Sequence, residues 1–171
     1  MTYKRFEDLP VWQEAVRLAE KVYNLTENPK LKVSYSFRDQ IERTALSVSN
    51  NVAEGFERGT TNELLAFIYI ARGSAGEVRS MLCFMERRLG LADFKSQISD
   101  LKSIAESCSR QLRAWAESLQ DSEVKGQRHL NTKSRLIDER KKSVVAFQKK
   151  LIDMLSLDHP LRRNESQDMK S

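Results

Sequence analysis

The chain has 171 residues, 31% of them charged, and a net charge of +5 at pH 7. That length suits one domain with an appendage better than two full domains, and 6 Gly and 3 Pro are too few for a turn-rich β fold. No stretch approaches the roughly 20 apolar residues of a membrane helix, and Met1–Pro10 carries Lys4, Arg5, Glu7 and Asp8 in place of the apolar run of an export signal, so a soluble, cytoplasmic protein is expected.

The first helix is predicted over Leu9–Thr26. Asp8 is placed as its N-cap and Pro10 in its first turn, where the missing N–H costs little. Trp12, Ala15, Val16, Ala19, Val22 and Tyr23 recur at three and four residues, which makes one apolar stripe. Asn28-Pro29 stops it. The second helix, Ser36–Arg58, buries Phe37, Ile41, Ala45, Val48, Val52 and Phe56, and Gly59 ends it.

The third helix starts at Thr60 or Thr61, with Glu63 three residues after Thr60 as in a capping box. It runs to about Leu89 through Leu64, Phe67, Ile68, Ala71, Ala75, Val78, Leu82 and Met85, and Gly90 ends it. Asp93 is placed as the cap of the fourth helix, whose stripe is Ile98, Leu101, Ile104, Ala105, Cys108, Leu112, Trp115 and Leu119. Four such stripes joined by short links close on one core as an all-α, antiparallel up-down four-helix bundle over residues 1–121. Cys83 and Cys108 fall within these helical patterns and are read as reduced, buried side chains.

Residues 122–171 form a basic C-terminal extension. The first 121 residues hold 17 basic and 17 acidic side chains, so the excess lies in the extension, with 12 against 7. After a polar break containing Gly126, a fifth helix is predicted over about 132–157, with Ile137, Val144 and Leu151 seven apart and Phe147 and Met154 between and beyond them. It either docks on the bundle or a partner, or stands as a marginal helix on a mobile tail. Residues 158–171 are expected to be disordered.

Enzyme chemistry has little to stand on. Both histidines, His129 and His159, lie in the extension, so no Ser-His or Cys-His pair forms in the bundle. No Glu-x-x-His pair, zinc spacing or phosphate loop is present, and no cofactor or metal is expected. A carboxylate cluster of Glu54, Glu63 and Glu77 is the sole candidate for a catalytic site.

Two places break local rules. Asn50-Asn51 stands inside the second helix, where asparagine competes for backbone hydrogen bonds. With Arg43, Ser47, Glu54 and Arg58 it makes either a solvated polar face or an intersubunit or ligand-binding face. Gly73 and Gly76 stand in the third helix, each costing about 1 kcal/mol against alanine. They admit close packing, either within the bundle or against another subunit. Arg72 and Arg79, seven apart beside them, suit phosphate contacts or surface salt bridges.

Three stretches carry a resemblance: Phe6-Glu7-Asp8-Leu9 with Val11-Trp12; Gln40–Arg43 continuing through Ser47-Val48-Ser49-Asn50-Asn51-Val52-Ala53-Glu54-Gly55; and Tyr69-Ile70-Ala71-Arg72-Gly73-Ser74-Ala75-Gly76-Glu77. Over about residues 5–120 the chain resembles the four-helix bundle proteins encoded in intervening sequences of bacterial 23S rRNA genes. That family is similar in turn to the accessory variability proteins of diversity-generating retroelements. The resemblance implies a ring-like homopentamer that binds nucleic acid, and in the retroelement branch a reverse-transcriptase partner with its template RNA; RNA is expected over DNA, although the sequence itself does not distinguish the two. Arg43, Asn51, Glu54, Arg72 and Glu77 fall on the family's pattern.

The candidate nucleic-acid contacts are therefore Arg38, Arg43, Arg58, Arg72 and Arg79 on the bundle, with Arg140, Lys141, Lys142, Lys149 and Lys150 in the extension. The candidate oligomer interface is Asn50, Asn51, Glu54, Gly73, Gly76 and Glu77. The competing expectation is a protein-interaction scaffold whose bundle oligomerises and whose C-terminal helix recruits a partner. No aromatic stacking platform stands out in the sequence.

Overall fold

The computed structural model describes residues 3–121 and 132–154. Five α-helices account for most of them: α1 Pro10–Thr26, α2 Tyr35–Glu57, α3 Thr61–Glu86, α4 Lys95–Gln120 and α5 Thr132–Met154. The chain divides into two units, Met1–Arg128 with α1 to α4 and His129–Ser171 with α5. The predicted break at residues 122–132, with Gly126 and His129, lies outside the described residues except for Thr132, which begins α5. So do the last residues of the predicted fifth helix and the whole of 158–171.

In the first unit α1 packs against α2 and α4, and α3 packs against the same two. Cross-helix contacts fix the directions. Phe37 in the first turn of α2 meets Phe84 in the last turn of α3. Lys102 of α4 pairs with Glu86 at the end of α3 at 2.7 Å, and Lys21 late in α1 pairs with Asp100 early in α4 at 2.7 Å. At the other end, the Arg58 guanidinium after α2 lies over the Phe67 ring early in α3, and Gln120 of α4 donates to the Tyr69 hydroxyl. Neighbours in sequence are thus antiparallel, as expected.

The core is one apolar cluster to which all four helices contribute. Its α1 contribution is Val11, Ala15, Leu18, Ala19, Val22 and Leu25. Trp12, Val16 and Tyr23, expected inside, are only half-buried. The reason is helical phase: the spacing of Val11, Leu18, Val22 and Leu25 centres the buried stripe beside them, and Trp12 packs at its edge against Phe6 with ring centroids 5.3 Å apart. Cys108 is fully buried, and burial pushes its thiol up to about 12. Both cysteines are unpaired, although Cys83 is half-buried rather than buried.

Two expected caps are corrected. Asp8 lies in a 3-10 turn, Phe6–Asp8, and buried Leu9 occupies the N-cap of α1 with no side-chain cap bond. Asp93 lies within a second 3-10 segment, Leu89–Phe94, and α4 begins at Lys95 uncapped. In both places burial of an apolar anchor, Leu9 in one and Leu91 and Phe94 in the other, outweighs a cap worth about 1 kcal/mol. The second segment also ends α3 at Glu86, short of the predicted Leu89. Ser34, not foreseen as a cap, accepts from the Phe37 N–H and starts α2 at Tyr35. Thr60 caps α3 by accepting from the Glu63 N–H, and its hydroxyl donates to the Glu63 carboxylate at 2.7 Å.

Candidate functional site

Of the two asparagines that break helix rules in α2, Asn51 reaches a polar seam between α2 and α3 through Ser47. Asn51 turns its amide back one turn, donating to the Ser47 carbonyl at 2.7 Å and its hydroxyl at 2.9 Å. Ser47 in turn lies 3.0 Å from the Ser74 hydroxyl of α3. Asn51 is thereby tied down by its own helix and helps to aim Ser47 across the seam. Gln40, Arg43, Thr44, Ser47, Ser74 and Glu77 line a shallow cavity of about 350 Å³ here. Asn50 and Glu54 are exposed.

The arginines on α2 are largely spent on their own helix. Arg43 pairs with Asp39 at 2.9 Å and hydrogen-bonds Gln40. Arg58 pairs with Glu54 and lies over Phe67. Such exposed pairs are worth only about 0.3–0.5 kcal/mol, but they lower the positive potential along the seam. Arg38 is half-buried, and its Nε is buried without a hydrogen-bond partner.

Arg72 and Arg79 differ. Among the described residues neither forms an ion pair. Their seven-residue spacing puts them on one face of α3, on the side of α4, where Arg79 acts electrostatically on Lys102. The structure therefore does not gather the five bundle arginines into one patch. It puts Arg43 and Arg58 at the α2–α3 seam and Arg72 and Arg79 on the α3–α4 side, with Arg38 half-buried near the start of α2.

Arg87, Arg88 and Lys95, not singled out from the sequence, line a second open cavity of about 150 Å³ with Glu86, Leu91 and Ala92. The adjacent Arg87-Arg88 pair was the available signal. The Lys102 ammonium binds Glu86 and holds its carboxyl below the usual range.

Gly73 and Gly76 are not held by the core: a Cβ added at either meets nothing within 4 Å. Packing within the bundle does not explain them. Ile70 and Tyr69 near them in α3 and Leu46 on α2 are 52%, 45% and 38% exposed. On α5, Arg140, Lys149 and Lys150 are exposed, as are Val144, Phe147, Leu151 and Met154. The side chains of Ile137, Lys141 and Lys142 lie outside the described residues. Glu54, Glu63 and Glu77 make no cluster: the first pairs with Arg58, the second with Thr60, and the third borders the seam. Among the described residues no three His, Cys, Asp or Glu side chains gather to hold a metal, and no helix is long and apolar enough to cross a membrane.

A family model described as 23S rRNA-intervening sequence protein matches residues 7–114. A solved structure of a protein with unknown function from the S23 ribosomal protein family of Bacteroides thetaiotaomicron is similar, with a TM-score of 0.56 at 18% identity. The similarity covers 63% of this chain and 98% of that one, and at this identity it speaks to the fold alone. No curated protein matches the sequence.

Proposed function

The chain belongs to the 23S rRNA-intervening sequence protein family, and from that premise we propose that it is a non-enzymatic RNA-binding accessory protein that works as a homo-oligomer in the cytoplasm. The observation that carries this reading is the run of arginines along α3, from Arg72 and Arg79 to Arg87 and Arg88 at its end, none of which forms an ion pair among the described residues. An arginine free of carboxylate partners keeps its full attraction for phosphate, and its planar fork suits bidentate contacts. The exposed cations of α5 add to that charge. On this reading residues 1–121 form the assembling body and residues 122–171 a basic arm.

Charge reversal separates these arginines from the paired ones. Arg72→Glu with Arg79→Glu is expected to weaken RNA binding at least tenfold and to reduce the slope of log affinity against log salt by about one for each phosphate no longer neutralised. Arg43→Gln, which removes a cation already held by Asp39, should change affinity less than about threefold. Fluorescence anisotropy across a salt series reads both. Equal effects from the two variants would refute the α3 assignment.

The bare glycine surface supports the oligomeric part of the proposal. Gly73, Gly76 and Ile70 offer a contact for a second copy, and Asn50, Asn51, Glu54 and Glu77 are proposed to complete it. A ring of five and a reverse-transcriptase partner extend the proposal by resemblance. The same surface favours the second reading, a scaffold that oligomerises and recruits a protein through α5 without RNA. Light scattering on Gly73→Glu tests the shared element: the mass should fall to that of the monomer. An unchanged mass would remove the glycine patch from the interface.

A further inference from the structure

The bundle end formed by the start of α2, the end of α3 and the start of α4 concentrates aromatic rings and cations. Tyr35, the first residue of α2, is 83% exposed, and Phe84 is 51% exposed. Burial of these rings would be favourable, yet both stand in solvent. The Phe84 ring is held in place by Phe37, with centroids 5.7 Å apart and planes inclined by 36°. The Arg88 guanidinium lies 5.9 Å from the Phe84 centroid. Beside it, Arg87, Arg88 and Lys95 line the 150 Å³ cavity, whose one carboxylate, Glu86, is already bound by Lys102 at 2.7 Å. Arg38, one residue after Phe37, has its buried Nε unpartnered.

This chemistry is specific. A fixed, half-open ring with a guanidinium over it accepts another flat π-system, and the cations alongside, which outnumber the single Glu86 carboxylate that Lys102, Lys95 and Arg87 share, accept phosphate. A duplex presents phosphates but keeps its bases stacked within itself. We propose that this end of the bundle is a stacking platform for the bases of single-stranded RNA, with Tyr35 and Phe84 as the base-contacting rings and Arg87, Arg88 and Lys95 on the phosphates. This rests on the RNA-binding reading and adds to it a site and a strand preference.

The test compares the full-length protein with a Tyr35→Ala, Phe84→Ala variant, on a short single-stranded RNA of mixed sequence and on the blunt duplex made from it. The variant is expected to lose about five- to hundredfold in affinity for the single strand, to keep its duplex affinity within about twofold, and to keep its salt slope, because no cation is removed. Phe84→Tyr, which retains the ring, should retain single-strand affinity. Unchanged single-strand binding by the alanine variant, or an equal loss on strand and duplex, overturns the platform while leaving the RNA-binding reading standing. Failure of the unaltered protein to bind either RNA overturns both.

Discussion

Gly55→Ala is expected to destabilise the bundle by about 1–3 kcal/mol, although alanine is the better helix former by about 1 kcal/mol. A Cβ at this position would sit 2.7 Å from the Phe67 Cβ and 3.2 Å from Leu64 Cδ1. The first atom is fixed to the α3 backbone and has no rotamer to escape into. The helices must therefore separate at this level, and separation there loosens Val52 and Phe56 against Leu64. The control is in the same chain. Gly73→Ala and Gly76→Ala add a methyl that meets nothing within the bundle and, at dilutions where the chain is monomeric, should each stabilise it by up to about 1 kcal/mol. Thermal unfolding at roughly 2–4 °C per kcal/mol separates the signs. A Gly55→Ala protein that melts above the parent would show that α2 and α3 have slack the structure does not contain.

Leu82→Ala is expected to have the larger effect, a loss of about 2–5 kcal/mol. Leu82 is fully buried on α3, the helix that packs against both α2 and α4. Close-packed helices cannot fill the missing volume from one side without opening the other. Leu46→Ala removes a similar side chain where it is 38% exposed and should change stability by only about 0.5 kcal/mol. Urea denaturation reads both. A Leu82→Ala midpoint close to that of the parent would place that side chain outside the cooperative core.

Helical spacing carried the architecture because four stripes with sequence-local periods admit few arrangements. Spacing says which face a residue occupies, and so Ile41, Ala45, Val48 and Val52 were legible as core. It does not say how near the next helix comes. Gly55, hidden in a run read for its resemblance, proved to be where α3 leaves no room for a Cβ, while a Cβ at the conspicuous Gly73 or Gly76 meets nothing within the bundle. The aromatic end was illegible for a related reason: Phe37 and Phe84 lie far apart in sequence and meet only because α2 and α3 are antiparallel in this register. Asp39 and Glu54, each four residues before an arginine, were the local sign that Arg43 and Arg58 would be paired. Net charge alone could not separate those arginines from Arg72 and Arg79.

The order in which the helices meet has a kinetic consequence. Three of the four seams, α1–α2, α2–α3 and α3–α4, join segments adjacent in the chain, and only α1–α4 closes a long loop. Loop-closure entropy grows slowly with length, and chains dominated by local contacts cross their barriers in microseconds to milliseconds. The first three helices can therefore pair as they emerge during synthesis, before α4 exists. Their shared apolar faces stay uncovered until Ile98, Leu101 and Ile104 arrive, and the time a ribosome takes to deliver those residues sets how long the nascent chain is vulnerable to aggregation.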